Sequence, residues 1–366
     1  PLVFWIWELG FLLLGTAPLG WHLWTLLWRF LSVLIFWVLL RQFWPKQARR
    51  TALAALLFAV YPIFFQQPSA LTFSFHWVCY FLSILSLVCM VRAAQGRGSW
   101  LACSAAAVLS GAASLFSQEF FIGFELLRPV LIWLALGGGL KLEWPRLRRT
   151  LLQWAPYLLL LIGYLLWRLV FMPAPGSDRN APQVLYGLLK TPLQTLPELL
   201  VMVLRDLVNG LAGVWYRTYQ PALITAGPLS ALMAWGLAGA VFAGLYAAFR
   251  WLRGLNGADE SEAGFVRGAV LVGLLAMLLG FAPGWTTGRS MSDTGGLYND
   301  RFGMAAMAGA SLLLVGLVEG ALKSRRVRTA VLCLLVALAV GAHFRSTTEY
   351  RWSWEQQTRL YWQLKW

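Results

Sequence analysis

Ten apolar stretches, each close to the length of a helix that crosses a bilayer, recur along this chain of 366 residues. A hydrocarbon core of about 30 Å needs about 20 helical residues, and only helices or closed barrels satisfy the backbone inside it. The stretches lie near 20–41, 51–66, 72–93, 99–117, 120–140, 151–172, 228–249, 265–284, 303–321 and 327–344. Only 12% of the residues are charged, against about 25% in soluble domains. We therefore predict an all-α fold, a polytopic transmembrane helical bundle of about ten spans, as a single domain over 1–366.

Basic residues orient this predicted bundle. More than half of the 30 Lys and Arg fall in loops after odd-numbered stretches, as at 42–50 and 141–150. By the positive-inside rule these loops are cytoplasmic, and both ends of the chain then lie outside. We expect a multi-pass protein of a bacterial inner (plasma) membrane. The same rule accounts for the net charge of +15, and no motif that reads nucleic acid occurs, so we expect no nucleic-acid partner.

Three segments are predicted to lie on the outer face. They are 1–19, the end of an outer loop with an interfacial segment; 173–227, an outer loop with an interfacial helix; and 345–366, an interfacial tail. In the second, Thr195 and Glu198 have the spacing of a capping box at the start of a helix. Arg205, Asp206 and Asn209 interrupt the apolar run that follows, so this helix is predicted to lie along the membrane surface.

The stretch from Ala112 to Trp133 places two carboxylates in an otherwise apolar sequence. An ionisable group at membrane depth costs roughly 2.5–3.5 kcal/mol on insertion scales, so a partner or a function has to compensate. Glu119 falls at the predicted outer boundary, where it could accept a proton, bind a sugar hydroxyl or ligate a hard divalent cation. Alternatively, Ser117 caps the next helix and Glu119 sits in its first turn. The residues alone leave both readings open.

Other charged residues in the apolar stretches have structural or binding interpretations. Glu125 and Arg128 are spaced i, i+3 and are expected to neutralise one another. Arg29 lies within a stretch and is expected to pair with a carboxylate on a neighbouring helix. Arg168 and Arg301 lie at the predicted outer boundary, where an arginine either reaches towards water or clamps a phosphate with its planar fork.

Four segments, taken in order, resemble the GT-C superfamily of membrane glycosyltransferases, in its O-mannosyltransferase-like branch. The first opens a span with the pattern G-x-x-P-x-G-Y-H-L-x-N-L-L-x-H, and its matching residues include Gly15, Pro18, Gly20, His22 and Leu23. Thr25 and Arg29 replace the Asn and His of that pattern. Residues 55–62 resemble the family's ALLFAVHP, with Tyr61 in the His position. Ser117-Gln118-Glu119 resembles its S-K-E, and Arg168 and Arg301 resemble arginines that follow later spans.

The resemblance implies an enzyme that transfers a sugar from a polyprenyl-phosphate donor to an acceptor on the outer face. It implies that Glu119 lines the pocket and that Arg168 and Arg301 bind the lipid phosphate. We also expect His22 and Asp300 to be possible contacts to acceptor or donor. The family's catalytic carboxylate belongs to a loop that we expect upstream of Pro1. No metal site is predicted, although a divalent cation stays open as a cofactor, and the implied partners are the lipid-linked sugar and membrane lipid.

Two further classes of function stay open. One is a flippase or transporter of a lipid-linked or anionic solute, which should show broken helices in two related halves. The other is a non-catalytic scaffold subunit of a membrane complex. The sequence shows no internal repeat and concentrates its polar residues on one predicted face, which favours the enzyme.

Overall fold

The structure, a computed structural model, describes residues 2–137, 143–171, 181–219, 227–252, 262–293 and 299–365. Within these ranges the chain is helical and contains no strand. The helices of the first half are α1 Leu2–Leu14, α2 Pro18–Phe43, α3 Ala48–Val60, α4 Ala70–Ala94, α5 Trp100–Leu115, α6 Gly123–Ala135 and α7 Trp144–Phe171. Those of the second half are α8 Gln183–Lys190, α9 Pro192–Val208, α10 Val214–Tyr216, α11 Gly227–Trp251, α12 Glu262–Thr286, α13 Met307–Ala321 and α14 Arg325–Lys365.

Seven helical segments in the described ranges are long and apolar enough to cross a membrane. Six of them, α2, α4, α7, α11, α12 and α14, coincide with predicted spans, and the seventh is the run Pro192–Tyr216. The other four predicted spans correspond to the shorter helices α3, α5, α6 and α13. The prediction of an all-α, multi-pass membrane bundle is confirmed, with the number of spans approximate.

Helix α3 shows how a short helix fits such a bundle. Its 13 residues span about 20 Å at 1.5 Å per residue, less than the hydrocarbon core. Leu57 and Phe58 are fully buried, and so are Tyr61 and Phe64 in the irregular segment that follows. Non-helical backbone is tolerated at membrane depth where protein surrounds it. The segment 61–69 can therefore continue the path of α3 without exposing its backbone to lipid.

Helices α12 and α13 form a close antiparallel pair at the centre. A Cβ placed on Gly273 would collide with the backbone nitrogen of Leu313, and one placed on Gly309 would collide with that of Met277. Lipid tails are as apolar as leucine, so helix association in membranes depends on such close backbone packing. Phe265, Met277 and the residues facing them belong to one continuous buried core.

The intramembrane charges have partners, though one partner differs from the prediction. Arg128 donates from Nε and Nη2 to the two carboxylate oxygens of Glu125, at 2.6 Å each, and also reaches Ser86. The predicted Glu125–Arg128 pair is thus confirmed. Arg29 does not pair with a carboxylate in the described structure: it donates to the carbonyl of Ala59 and lies over the ring of Trp77. A backbone carbonyl and an aromatic face satisfy this guanidinium without a second buried charge.

Charged residues mark both ends of the bundle. At one end, the carboxylate of Glu319 accepts from Arg49 and Arg50 at 2.7 Å each and lies 3.4 Å from Arg328. Its side chain has no exposed surface. We call this the Glu319 end, and the opposite end, where α5 leads into α6 through Glu119, the Glu119 end. By the positive-inside rule the Glu319 end is predicted to be cytoplasmic.

Helix α14 is longer than the predicted span 327–344. It runs without interruption through 41 residues, so the segment 345–366, predicted as a separate interfacial tail, continues the same helix as far as Lys365. At 1.5 Å per residue its length is about 60 Å, roughly twice a hydrocarbon core. Trp354, Tyr361 and Trp362 are exposed on its last turns. The change in polarity near residue 345 marks a change of surroundings and not a break in the backbone.

Candidate functional site

Glu119 is presented by a turn between α5 and α6. Ser117 donates to the carbonyl of Ala113 at 2.6 Å, back along α5. Gln118 then adopts extended backbone, and Glu119 begins a 3-10 turn whose Phe121 is buried against Tyr80. The alternative in which Ser117 caps the next helix is therefore wrong, because its hydroxyl is bonded to the preceding helix. The turn leaves the Glu119 side chain 55% exposed.

Arg168 near the end of α7 is the partner of Glu119. Its Nε lies 2.6 Å from Glu119 Oε1. Tyr164, one helical turn earlier, lies close to the same carboxylate, and both Tyr164 and Trp167 pack on Phe116. An exposed ion pair contributes only about 0–1 kcal/mol to stability. Opening this pair therefore costs little free energy.

Arg301 lies at the same end, on the face of Phe302. The guanidinium carbons of Arg301 and Arg289 lie 5.0 and 5.6 Å from the centroid of that ring. Burial lowers the pKa of Arg301 below its ordinary value, and the charge of Arg289 acts in the same direction. Nε of Arg301 is buried without a hydrogen-bond partner among the described residues. Two cations near one ring form a place where an anion would be stabilised.

Aromatic contacts join the Glu119 turn to Arg301. Phe120 packs edge-on against Phe302 with centroids 5.6 Å apart. His76 on α4 lies 3.4 Å from the amide of Gln118, packs on Phe120, and is close enough to feel the charge of Arg301. Phe120, next to Glu119, therefore contacts the ring on which Arg301 lies. The structure brings Glu119 and Arg168 into direct contact, and Arg301 is linked to them through this cluster.

Asp300 and His22 occupy different positions. The Asp300 carboxylate accepts from the backbone nitrogen of Phe65 at 2.9 Å and from the Gln66 amide, so it anchors the segment after α3. Burial raises its pKa, while these hydrogen bonds partly offset the effect. His22 is exposed near the start of α2. Among the described residues, no group of three or more His, Cys, Asp and Glu could hold a metal ion.

A buried polar network at the Glu119 end went unrecognised in the sequence. Asp206 on α9 is 1% exposed and accepts from Trp285 at 2.8 Å and from Ser290 and the backbone of Ser292. Asn209 donates to Ser292 at 2.9 Å. The polar residues that interrupt this apolar run thus bind the segment after α12. Their i, i+1, i+4 spacing signalled one polar face, but the partner lies about 80 residues away and left no local signal.

Arg205 forms a second, exposed pair beside that network. Its Nη2 lies 2.6 Å from Asp293 Oδ1, and both side chains are more than 40% exposed. The helix continues beyond Val208 as a π turn, and the carbonyl of Gly210 accepts from Tyr61 at 3.0 Å. The run Pro192–Tyr216 therefore packs across the end of α3 and the last turns of α12. The hypothesis that it lies along the membrane surface stays a prediction, since its length and composition also allow a crossing.

Comparison of the chain with family models, with curated proteins and with solved structures finds no match.

Proposed function

We propose that this membrane protein is a glycosyltransferase that moves a sugar from a polyprenyl-phosphate donor to an acceptor hydroxyl at the Glu119 end. The observation that carries the proposal is the exposed Glu119–Arg168 pair, which the Phe120–Phe302 contact links to Arg289 and Arg301 at the boundary of an apolar bundle. A lipid-linked sugar needs this combination: a polar site for the sugar and phosphate, next to hydrocarbon for the lipid chain. The resemblance of Ser117-Gln118-Glu119 to the GT-C motif gives independent support.

The arginines supply the electrostatic part of the reaction. As the acceptor oxygen attacks the anomeric carbon, the bond to the phosphate oxygen breaks and negative charge accumulates on the leaving phosphate. Donors already fixed in place stabilise such charge most effectively. Arg301 and Arg289 are positioned by Phe302, so they require little rearrangement. Arg168 is bonded to Glu119 and would join the phosphate when that pair opens.

Glu119 acts on the acceptor side. Its exposed carboxylate can hold the acceptor hydroxyl and orient the lone pair for attack, which requires hydrogen-bond reach of about 2.6–3.2 Å. The resemblance assigns the removal of the hydroxyl proton to the family's catalytic carboxylate, a group other than Glu119. Arg168, bonded to Glu119, would fix the orientation of its carboxylate.

The two ends of the bundle favour an enzyme over a transporter. A transporter has to open towards both faces in turn. At the Glu319 end, Arg49 and Arg50 close on a fully buried carboxylate. The exposed charges of the candidate site are all at the opposite end. This asymmetry fits a reaction carried out from one face.

The test is sugar transfer by the purified native protein, with a radiolabelled polyprenyl-phosphate sugar and a panel of hydroxylated acceptors. Arg301→Lys keeps the charge but loses the fork, and we expect about a tenfold higher KM for the donor. Glu119→Gln should lower kcat by about 100-fold with little change in donor KM. Arg205→Gln is the matched control, because it breaks an exposed Arg–carboxylate pair at the same end but outside the site.

Two results would reject the proposal. One is an absence of transfer from every polyprenyl-phosphate donor by protein that is folded and monodisperse. The other is transfer that Glu119→Gln and Arg301→Lys reduce no more than Arg205→Gln does. Movement of the labelled lipid across vesicles without transfer of sugar would instead identify a flippase.

A further inference from the structure

A second basic site lies at the Glu319 end, far from the proposed catalytic centre. A cavity of about 250 Å³ opens between the ends of α2 and α4 and the loop after α4. Its lining, which we call the Arg41 pocket, consists of Trp37, Val38, Arg41, Gln42, Arg92 and Arg97. A bulk water occupies about 30 Å³, so the space accommodates a headgroup and not merely one water.

The chain builds this pocket through the way α4 ends. Gly96 adopts a left-handed conformation with φ of 67°, and its N–H bonds to the carbonyl of Ala93 at 3.1 Å. The N–H of Arg97 bonds to the carbonyl of Arg92 at 2.9 Å, which completes a Schellman turn. The turn folds Arg97 back beside Arg92. Gln95 then donates to the carbonyl of Gln42, which fixes the loop against α2.

The charges of the pocket exceed what the helix ends require. Each helix C-terminus carries roughly half a negative charge, so two of them offset only about one of the three guanidinium groups. No carboxylate lines the pocket, and no ion pair involves these three arginines among the described residues. About two positive charges are left facing a common space. An anion is the ligand that this arrangement favours.

Two polar atoms of the lining lack partners. Arg41 Nη1 and Gln42 Oε1 are buried and have no hydrogen-bond partner in the described part of the chain. A basic residue that only orients the protein in the membrane would extend into water, where solvent satisfies it. Here an arginine donor and an amide acceptor are withdrawn from solvent beside the same cavity. A phosphate accepts from the first, and a headgroup hydroxyl donates to the second.

The position of the pocket indicates where the phosphate comes from. Trp37 and Val38 form its apolar side on α2, a helix long and apolar enough to span the membrane. Basic pockets between helices at the cytoplasmic surface suit anionic lipid headgroups. We propose that the Arg41 pocket binds the phosphodiester of an anionic phospholipid, with the acyl chains along α2 and Gln42 receiving a headgroup hydroxyl. The site is independent of the proposed transferase activity.

The experiment measures retention of single lipids by the purified protein in neutral detergent, using native mass spectrometry. Phosphatidylglycerol should bind and phosphatidylcholine should not. The triple variant Arg41→Gln, Arg92→Gln, Arg97→Gln should weaken phosphatidylglycerol binding by about 100-fold, since each arginine near a headgroup contributes about fivefold. Arg148→Gln, Arg149→Gln, Arg326→Gln is the matched control: it removes three exposed charges from the same end and should change binding less than about threefold.

A single variant, the control variant and a soluble competitor provide further tests of lipid binding at the Arg41 pocket. Arg97→Gln alone changes one exposed side chain and serves if the triple variant misfolds; it is expected to weaken binding by about fivefold. Equal loss in the control triple, or equal binding of both lipids, would reduce the pocket to nonspecific surface charge. Glycerol 3-phosphate that displaces the lipid at equal concentration would show a site for soluble phosphates and overturn the assignment to lipid.

Discussion

The two ends of the bundle handle arginine and carboxylate in opposite ways. At the Glu319 end, one carboxylate with no exposed surface holds Arg49 and Arg50, which come from the start of α3. At the Glu119 end, the Glu119–Arg168 pair is more than half exposed on its acidic side, and Arg301 rests on an aromatic ring. A buried, fully bonded charge fastens helices together. An ion pair that is accessible to solvent can open, and each of its charged groups can then bind a ligand instead.

Breaking the buried cluster should have the largest effect. Glu319→Gln leaves Arg49 and Arg50 buried without their counter-charge, and the loss of one partner of a buried pair costs about 3–5 kcal/mol. Unfolding of the detergent-solubilised protein, followed by circular dichroism, measures this loss. Glu355→Gln on α14, which breaks the exposed Arg351–Glu355 pair, is the control, with an expected change below about 0.5 kcal/mol. Equal losses in the two variants would show that Glu319 is not a fastening point.

Asp206 tests whether the Glu119 end contains a fastening point of its own. Asp206→Asn removes the charge that accepts from Trp285, Ser290 and the backbone of Ser292. Leaving such donors imperfectly paired should cost about 1–3 kcal/mol of unfolding free energy. Asp293→Asn next to it alters an exposed pair and should cost less than about 1 kcal/mol. A ranking in the reverse order would contradict the assignment of Asp206 as the buried anchor.

The candidate site should separate stability from activity. Glu119→Gln is expected to change the unfolding free energy by less than about 1 kcal/mol, because the carboxylate is exposed. Its effect on sugar transfer is expected to be much greater. A loss of stability comparable to that of Glu319→Gln would make Glu119 a second fastener and remove the contrast between the two ends.

The smallest expected effect is the change in stability with pH that arises from Asp300. Burial raises the pKa of Asp300 above its ordinary value of 3.8, so the folded protein holds this proton more tightly than the unfolded chain does. The contribution of Asp300 to stability is therefore greatest below pH 3.8 and falls as pH rises through the raised folded value. Melting temperatures of the wild type and Asp300→Asn between pH 4 and pH 8 measure it. The melting temperature of the wild type should fall relative to that of Asp300→Asn as pH rises. A relative increase would contradict the direction of the pKa shift.

Charge pairs within one helix could be predicted from the sequence, whereas pairs between distant helices could not. Glu125 and Arg128 are neighbours on one helix, so their spacing was enough to predict the pair. Arg49 and Glu319 are 270 residues apart, and nothing local connects them. The carboxylate predicted for Arg29 was wrong because a backbone carbonyl and the Trp77 ring took that place, and every segment offers such groups. Apolar length predicts helices, whereas partners depend on how the helices pack.

The candidate site was predictable in the same uneven way. Glu119, Arg168 and Arg301 stood out because charge is rare in apolar sequence. In the structure they lie between α5 and α6, near the end of α7, and in the turn before α13. Arg289 was missed, since it lies in a polar segment where one more arginine carries no signal. The structure brings it near Arg301, because both guanidinium groups lie over the ring of Phe302, 13 positions after Arg289.

Helices α3 and α14 are pinned to each other at two levels. Near the Glu319 end, Arg49 donates to Thr329 at 3.2 Å; near the other end, the ring of His343 lies 3.1 Å from the carbonyl of Val60. One residue inserted between the two pins of α14 would advance the helix by about 1.5 Å and rotate it by about 100°, so both pins could not be kept. Sliding of one helix past the other would break both contacts, so α3 and α14 together fix the distance between the two ends of the bundle. A movement that opens the Glu119 end is therefore expected in helices other than α3 and α14. Helix α7, which carries Arg168, is attached to the Glu119 turn by an exposed ion pair and is the first candidate.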